Sequence, residues 1–410
     1  MSASDLEVAI VGAGPAGIGT AVALERLDVD YAILERDRIG ASFRDWPDEM
    51  RLLTPSFPAN AFGVRDLNAV TIDTSPALAL DCEHPTGDQY ADYLEAIAEF
   101  HDLPVETGVD VDAVVPAAET GDEDDRETEE AGFTLETADG PIRARYVVWA
   151  AGQYQYPSSG SIDGESHGVH VAGVDSWAAY ADRVSSDETD GRPQVAADGA
   201  GATTADAADA VVVGGAESGI DAALGLAEEG LSVTVLDDEG TWQFRSPDPS
   251  EVLSPRTNER LEGALEDGKS LDLVPEARVK GIERDDRDAE YVVTTTDDDR
   301  FRSRTPPVLA TGFDGSLSLV EDLFASDGEF PELTDRDEST ETPGVFLAGP
   351  QVAHNGQQFC FIYKFRQRFA VVAETIGERL GVDTDPLEAY REKQMVLDDL
   401  DCCEPDYCDC

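Results

Sequence analysis

Glu7-Val8-Ala9-Ile10-Val11-Gly12-Ala13-Gly14-Pro15-Ala16-Gly17 is the stretch on which the fold turns, and it runs through an apolar pattern at residues 18–27 into Tyr31-Ala32-Ile33-Leu34-Glu35. The order is short aliphatic strand, glycine turn, helix, second strand, acid. Glycines in such a turn let a pyrophosphate approach the backbone, the helix N-terminus faces the anion, and a carboxylate ending the next strand reaches ribose hydroxyls. An ordinary tight turn between strand and helix needs no acid at that place. Gly12, Gly14, Pro15, Ala16, Gly17 and Glu35 are therefore candidate dinucleotide contacts.

A second copy begins at Val211-Val212-Val213, turns through Gly214-Gly215-Ala216-Glu217-Ser218-Gly219, and ends its next strand at Asp237. The first glycine and the terminal acid are 23 residues apart in both copies (35 − 12 and 237 − 214), which argues for two homologous units. Gly214, Ser218, Gly219 and Asp237 form the second candidate set. Asp237 stands where a carboxylate accepts from the ribose 2′-OH of NADH and repels the 2′-phosphate of NADPH. Arg245 is the nearby cation in the sequence and leaves NADPH open.

Each copy closes alike. Residues 133–137, a turn at Asp139-Gly140 and residues 142–149 lead to Ala150-Ala151-Gly152; residues 291–296, 297–299 and 301–309 lead to Ala310-Thr311-Gly312. Both read as a β-hairpin returning to a parallel sheet. The first unit is longer by 42 residues (140 − 98 between first and closing glycines), which places an insertion between Gly40 and Val105. Within it, Thr86-Gly87-Asp88-Gln89 is a capping box opening a helix whose Tyr90, Tyr93, Leu94 and Ile97 form a packing stripe. Residues 119–130 and 185–209 read as solvated loops. Residues 357–380 read as the last long helix, followed by a short helix and a tail.

At 410 residues the chain has room for two to three domains. Its formal charge is −58, with only four lysines, so it repels nucleic acid and anionic lipid and suits concentrated salt, where screening is short-ranged. No apolar stretch is long enough for a membrane span, and the start of the chain lacks a signal-peptide pattern, so a cytoplasmic protein is expected. The six cysteines are Cys82, Cys360, Cys402, Cys403, Cys408 and Cys410; they form no C-x-x-C and match no standard zinc spacing, so no metal ligand is assigned, and the four tail thiols stay open to a redox arm, a thiolate metal site or an incidental tail.

Two nucleotide folds, the second inserted before the first is finished, suggest one tightly held redox cofactor and one exchangeable nicotinamide donor. On these motifs, residues 6–380 resemble the two-dinucleotide-binding-domain flavoproteins, which include thioredoxin reductases, flavin-containing monooxygenases and bacillithiol-disulfide reductases. The resemblance implies an α/β fold of tandem Rossmann-like FAD- and NAD(P)-binding domains. Residues 1–160 and 306–395 would form the FAD domain, 161–305 the inserted NAD(P)H domain, and 396–410 a cysteine-rich tail. The first turn would hold FAD and the second NADH or NADPH, with hydride passing from nicotinamide to flavin. Gly152 and Gly312 resemble the family's hinges, and Gly344-Val345-Phe346-Leu347-Ala348-Gly349 its last FAD motif, where Pro350 replaces the usual aspartate. Asn355, Gly356, Gln357 and Gln358 would stand at a helix N-terminus facing the flavin pyrimidine edge, and His354 beside it would serve acid–base work.

The acceptor divides the family. Ala16 occupies the position where bacillithiol-disulfide reductases carry a cysteine, which argues against a direct dithiol route. Trp46-Pro47, Leu52-Leu53-Thr54-Pro55-Ser56, His84-Pro85-Thr86 and Tyr93-Leu94 resemble the monooxygenase branch, but the branch's His-Ser linker pair is reversed here, as Ser166-His167. A flavin monooxygenase-like enzyme on a small organic substrate is the favoured expectation. The alternatives are a reductase of a low-molecular-weight or protein disulfide, using Cys360 in the helix's first turn or the tail cysteines, and a non-catalytic nucleotide-sensing module. A homodimer is compatible with each. The catalytic candidates are Cys360, His354 and Gln357.

Overall fold

The computed structural model describes residues 5–58, 65–117, 132–187, 208–246, 250–285, 287, 289–327 and 330–400. The cysteine tail and the acidic loop at 119–130 lie outside them, as does most of 185–209. The chain divides into two compact units, one of Met1–Arg44, Thr54–Tyr156 and Asp314–Cys410, the other of Asp45–Leu53 and Pro157–Phe313.

In the first unit the strand Asp5–Val11 is the centre of a parallel arrangement. It pairs with Tyr31–Glu35 on one side and Ile142–Trp149 on the other, setting Ile10 against Ile33 and Val148. Val8, Ala9 and Ile10 are fully buried, as expected for a strand covered on both faces. Val105–Thr107 extends the sheet beyond Tyr31–Glu35, and Val345–Leu347 joins the far end of Ile142–Trp149 in parallel. Phe133–Thr137 and Val111–Pro116 complete it antiparallel, the expected hairpin return. The helix Pro15–Glu25 is apolar all round because it is covered all round: its Gly19 has no room for a side chain beneath the ring of Phe369, which begins the helix Phe369–Leu380. In the insertion, Thr86 and Gln89 form the expected capping box on the helix Gly87–Phe100, with Tyr90, Tyr93, Leu94 and Ile97 buried.

The second unit has a five-stranded parallel sheet in the order Leu271–Val274, Val233–Leu236, Ala210–Val213, Val308–Leu309, Val169–His170. The helix Glu217–Glu228 follows its central strand, and Gly225 gives way to the indole of Trp177. One expectation is corrected here, for residues 301–309 are not a single strand. Arg300–Ser303 closes a separate antiparallel sheet with Glu290–Thr295 and Val279–Asp285, and only Val308–Leu309 rejoins the parallel sheet. Pro306 and Pro307 between them have no N–H to give a ladder.

Glu49 caps the helix Trp177–Asp187 from a distance in sequence. Its carboxylate accepts from Ser176 Oγ at 2.7 Å, Trp177 N at 3.0 Å and Ala178 N at 3.3 Å. Partial burial opposes ionisation, but these donors outweigh it and hold the carboxyl below its ordinary range. A depressed folded-state pKa contributes stability that is present above the unfolded value and lost as pH falls through the folded one. Glu49→Ala should cost about 1–2 kcal/mol at pH 7 in urea unfolding, and the gap from wild type should shrink as the pH is lowered below the ordinary glutamate range. A gap that is constant with pH would refute the capping role.

The C-terminal region departs most from expectation. Residues 357–380 do not form one helix: Ala353–His354 and Gln357–Gln358 pair as a short hairpin, and helix begins only at Ile362–Phe365, passes through a 3₁₀ turn at Arg366–Arg368, and resumes at Phe369–Leu380. Asn355 and Gly356 both have positive φ, 53° and 78°, the pairing a two-residue hairpin turn demands. Among the described residues no helix is long and apolar enough to cross a membrane.

Candidate functional site

The two glycine turns are built alike. Gly12 and Gly214 have φ of +104° and +100°, and a Cβ on either would meet a carbonyl oxygen of the closing segment, that of Ala150 or Ala310. A Cβ on Gly17 or Gly219 would fall on the carbonyl oxygen of Gly12 or Gly214, so these positions are glycine for the fold's own sake. Gly14 differs. Its φ of −82° suits any residue, and a Cβ there would meet nothing within 4 Å. Neither strain nor packing asks for glycine there, and the open space at the start of a helix fits the close approach of a pyrophosphate. Its counterpart in the second turn, Ala216, has nearly the same backbone, with φ −77°. Pro15 fills the first helical position, where its missing N–H costs nothing, and Ala16 is buried beside it.

The terminal acids also correspond. Glu35 accepts from Ala13 N at 2.7 Å, and Asp237 from Gly215 N at 2.6 Å, each the residue after the first glycine. There the likeness stops. Glu35 is half-buried and takes one further N–H, from Asp37. Asp237 is only 6% exposed, and its carboxylate also receives the N–H groups of Glu239, Gly240 and Thr241. It organises the loop after the second strand. Ser218 lies in the first turn of the helix Glu217–Glu228. Beside that helix start is a cavity of about 420 Å³, lined among others by Ala216, Glu217, Glu239, Thr241, Phe244 and Glu251. Glu217 turns its carboxylate to Ser254 N and, at 2.6 Å, to Thr257 Oγ1; burial pushes its pKa up.

Gly152 and Gly312 both have positive φ, 70° and 86°, with open space where a side chain would stand. Gly349, φ +117°, follows the strand Val345–Leu347, and a Cβ there would touch the Ala16 methyl at 3.3 Å. The last glycine motif and the first turn therefore converge in one place. Past Gly349, the catalytic candidates sit differently from expectation. Gln357 and Gln358 lie on a hairpin strand, Gln358 donating to Pro350 O at 3.0 Å, and Cys360 precedes the helical turn instead of lying within it. The helical run starts at Ile362, so Gln357 and Gln358 precede its N-terminal end instead of forming it.

His354 is buried and bound to Asp337, Nε2 to Oδ1 at 2.5 Å, while Arg368 Nε donates to the other oxygen at 2.8 Å. It is thus a member of a buried hydrogen-bonded cluster with Asp337 and Arg368. Arg366, also buried, donates to the carbonyl of Asp66 and, at 2.9 Å, to that of Ala69 in the insertion; burial lowers its pKa to about 10. In the sequence both arginines fall among a helical stripe, where their spacing carries no sign of such partners.

The chain matches the family model described as pyridine nucleotide-disulphide oxidoreductase over residues 9–185 and 193–349. It is 21% identical to the bacilliredoxin reductase Bdr of Bacillus subtilis (strain 168), over 90% of this chain and 97% of that one. A match to an uncharacterized CzcO-like oxidoreductase of Geobacillus kaustophilus (strain HTA426), 27% identical, spans 37% of each chain. Its fold is shared with the bacillithiol disulfide reductase Bdr (YpdA) of Staphylococcus aureus, at TM-score 0.67 and 18% identity over 92% of this chain and 99% of that one. The flavin-containing monooxygenase of Stenotrophomonas maltophilia gives 0.63 and 15% over the same shares. With the family match embracing both glycine turns and their closing segments, this chain belongs to the pyridine nucleotide-disulphide oxidoreductase family and is an FAD- and NAD(P)H-dependent oxidoreductase.

Proposed function

We propose that the two units are tandem Rossmann-like domains, the first holding FAD and the second NAD(P)H, and that the enzyme delivers electrons to a diffusible acceptor: oxygen, in a monooxygenase-like reaction on a small organic substrate. FAD, when bound, supplies the two-electron relay between NAD(P)H and that acceptor. The chain's part is placement. The turn at Gly12–Gly17 binds the pyrophosphate, Glu35 holds the ribose, and the hairpin carrying Gln357 and Gln358 follows the glycine motif that converges on the first turn. The observation carrying this reading is Ala16: where the first turn meets Gly349 there is a methyl group and no thiol, so electrons have no sulfur at that point through which to leave.

A second reading, reduction of a low-molecular-weight disulfide, is supported by the full-length likeness to bacilliredoxin reductase and by Cys360, half-buried two residues beyond Gln358. One experiment separates them. The FAD-loaded protein in molar salt is given NADH or NADPH, and consumption is followed with oxygen alone, with a panel of small amines and sulfides, and anaerobically with small disulfides. Oxygen-dependent consumption that a small substrate accelerates, with an oxygenated product, is the expected result. Anaerobic consumption that requires a disulfide and is lost in Cys360→Ser would replace it with the reductase reading. No turnover with any acceptor would leave nucleotide sensing.

A further inference from the structure

We propose that Glu239, rather than Asp237, sets the dinucleotide preference, and that the cavity at the start of the helix Glu217–Glu228 takes NADH and rejects the 2′-phosphate of NADPH. The inference rests on the reading of the second unit as the NAD(P)H-binding one. Asp237 holds the place an acid takes in an NADH site, but its buried carboxylate is committed to four main-chain N–H groups. Withdrawing it to meet a ribose would leave those donors without an acceptor. The loop it organises turns at Gly240, φ +76°, and puts the exposed Glu239 on the cavity wall.

The geometry of the cavity then assigns the roles. A pyrophosphate bound at the helix start, against Ala216, leaves the adenosine end of the dinucleotide beside the loop 239–244, where Glu239 and Thr241 stand. Glu251 also lines the cavity, and no basic side chain is among the nine described lining residues. A ribose with free hydroxyls donates to a carboxylate in that position. A 2′-phosphate, carrying between one and two negative charges, meets an acid and finds no cation.

The formal charge of −58 does not perform this selection. In molar salt the screening length is about 3 Å, so distant acids are invisible to the ligand and only a carboxylate at contact distance discriminates. Glu239 lies in the wall itself. Glu217, the third acid there, has its oxygens engaged with Ser254 and Thr257 and is left out of the contact. Arg245, outside the lining, is the cation that would oppose the inference.

The test is equilibrium titration of the oxidised, FAD-loaded protein with NAD⁺ and NADP⁺ in molar potassium chloride, read by calorimetry and by quenching of tryptophan emission, since Trp242 borders the turn at Gly215. Wild type is expected to bind NAD⁺ about tenfold more tightly than NADP⁺ or better. Glu239→Gln, at an exposed position whose replacement should leave the melting temperature unchanged, is expected to narrow that ratio several-fold by strengthening NADP⁺. Equal binding of the two by wild type, NADP⁺ preference, or a ratio unmoved in Glu239→Gln would overturn the assignment while leaving the nucleotide site standing. Absence of binding by either dinucleotide would overturn the underlying reading of the second unit.

Discussion

Gly14→Ala should purify as a folded protein that has lost most of its flavin, with FAD affinity lowered about tenfold or more. The other glycines of the first turn cannot give so clean a result. At Gly12 a side chain meets the Ala150 carbonyl at 2.6 Å on a backbone of positive φ, and at Gly17 it meets the Gly12 carbonyl, so either substitution damages the fold and the site together. Gly14 has an ordinary extended backbone and nothing within 4 Å of the added methyl. Loss of glycine's freedom in the unfolded chain favours the variant by about 0.4–1 kcal/mol, and glycine's advantage over alanine as a cap offsets part of that. The apoprotein's stability should thus stay within about 0.5 kcal/mol of wild type. Flavin retention should not, because the methyl takes the space through which a pyrophosphate nears the backbone. The 450 to 280 nm absorbance ratio on purification, FAD titration of the apoprotein and its melting curve give all three quantities. A Gly14→Ala protein that keeps its full flavin complement would show that the space serves no ligand. Ala216 shows that the same backbone accepts a methyl in the second turn, where the proposed dinucleotide is exchangeable and is held less closely than FAD, so a folding failure is not the expected reason for any loss.

Local pattern carried the sheet strands, the two turns and the capped helix of the insertion, because each is written within a few residues of itself. Thr86 and Gln89 need only each other, and Val8 to Ile10 need only burial on both faces. The corrections fall where a partner is distant or two local signals compete. Asn355-Gly356 is a strong hairpin signal, but the apolar run that starts at Phe359 pulled the helix start upstream, from Ile362 to Gln357. Phe301 to Leu309 reads as continuous in apolar pattern, but Pro306 and Pro307 have no N–H to donate to a ladder. Asp237 was legible as an acid in the right place; that four main-chain N–H groups claim it depends on the turn of the loop after it, which spacing alone does not show. Arg366 reaches carbonyls 297 and 300 residues away in the chain, and no periodicity could have found them.

Arg368→Met should lower the stability of the first unit by about 3–5 kcal/mol, the usual cost of stripping one partner from a buried charge pair. Asp337 is fully buried, and Arg368 and His354 are its side-chain partners across the fold. Arg368 also donates to the carbonyls of Asp335 and Leu397, so one guanidinium joins the loop before the last glycine motif to the segment beyond the final long helix, and through Asp337 meets the hairpin at His354. Methionine fills much of the arginine's volume but leaves an anion in the interior with a histidine alone to answer it. At about 2–4 °C per kcal/mol for a unit of this size, the melting transition should fall by roughly 10 °C. A double variant tests whether the lone charge is the cause. Adding Asp337→Asn removes the anion, keeps an acceptor for His354 and tolerates the left-handed backbone, φ +61°, at that residue. Arg368→Met with Asp337→Asn should therefore be more stable than Arg368→Met by itself. If the double variant melts no higher than the single one, the arginine matters for its carbonyl contacts and packing. If it recovers, the hairpin bearing Gln357 and Gln358 owes its position to charge neutralisation at Asp337, and flavin retention should recover in step with it.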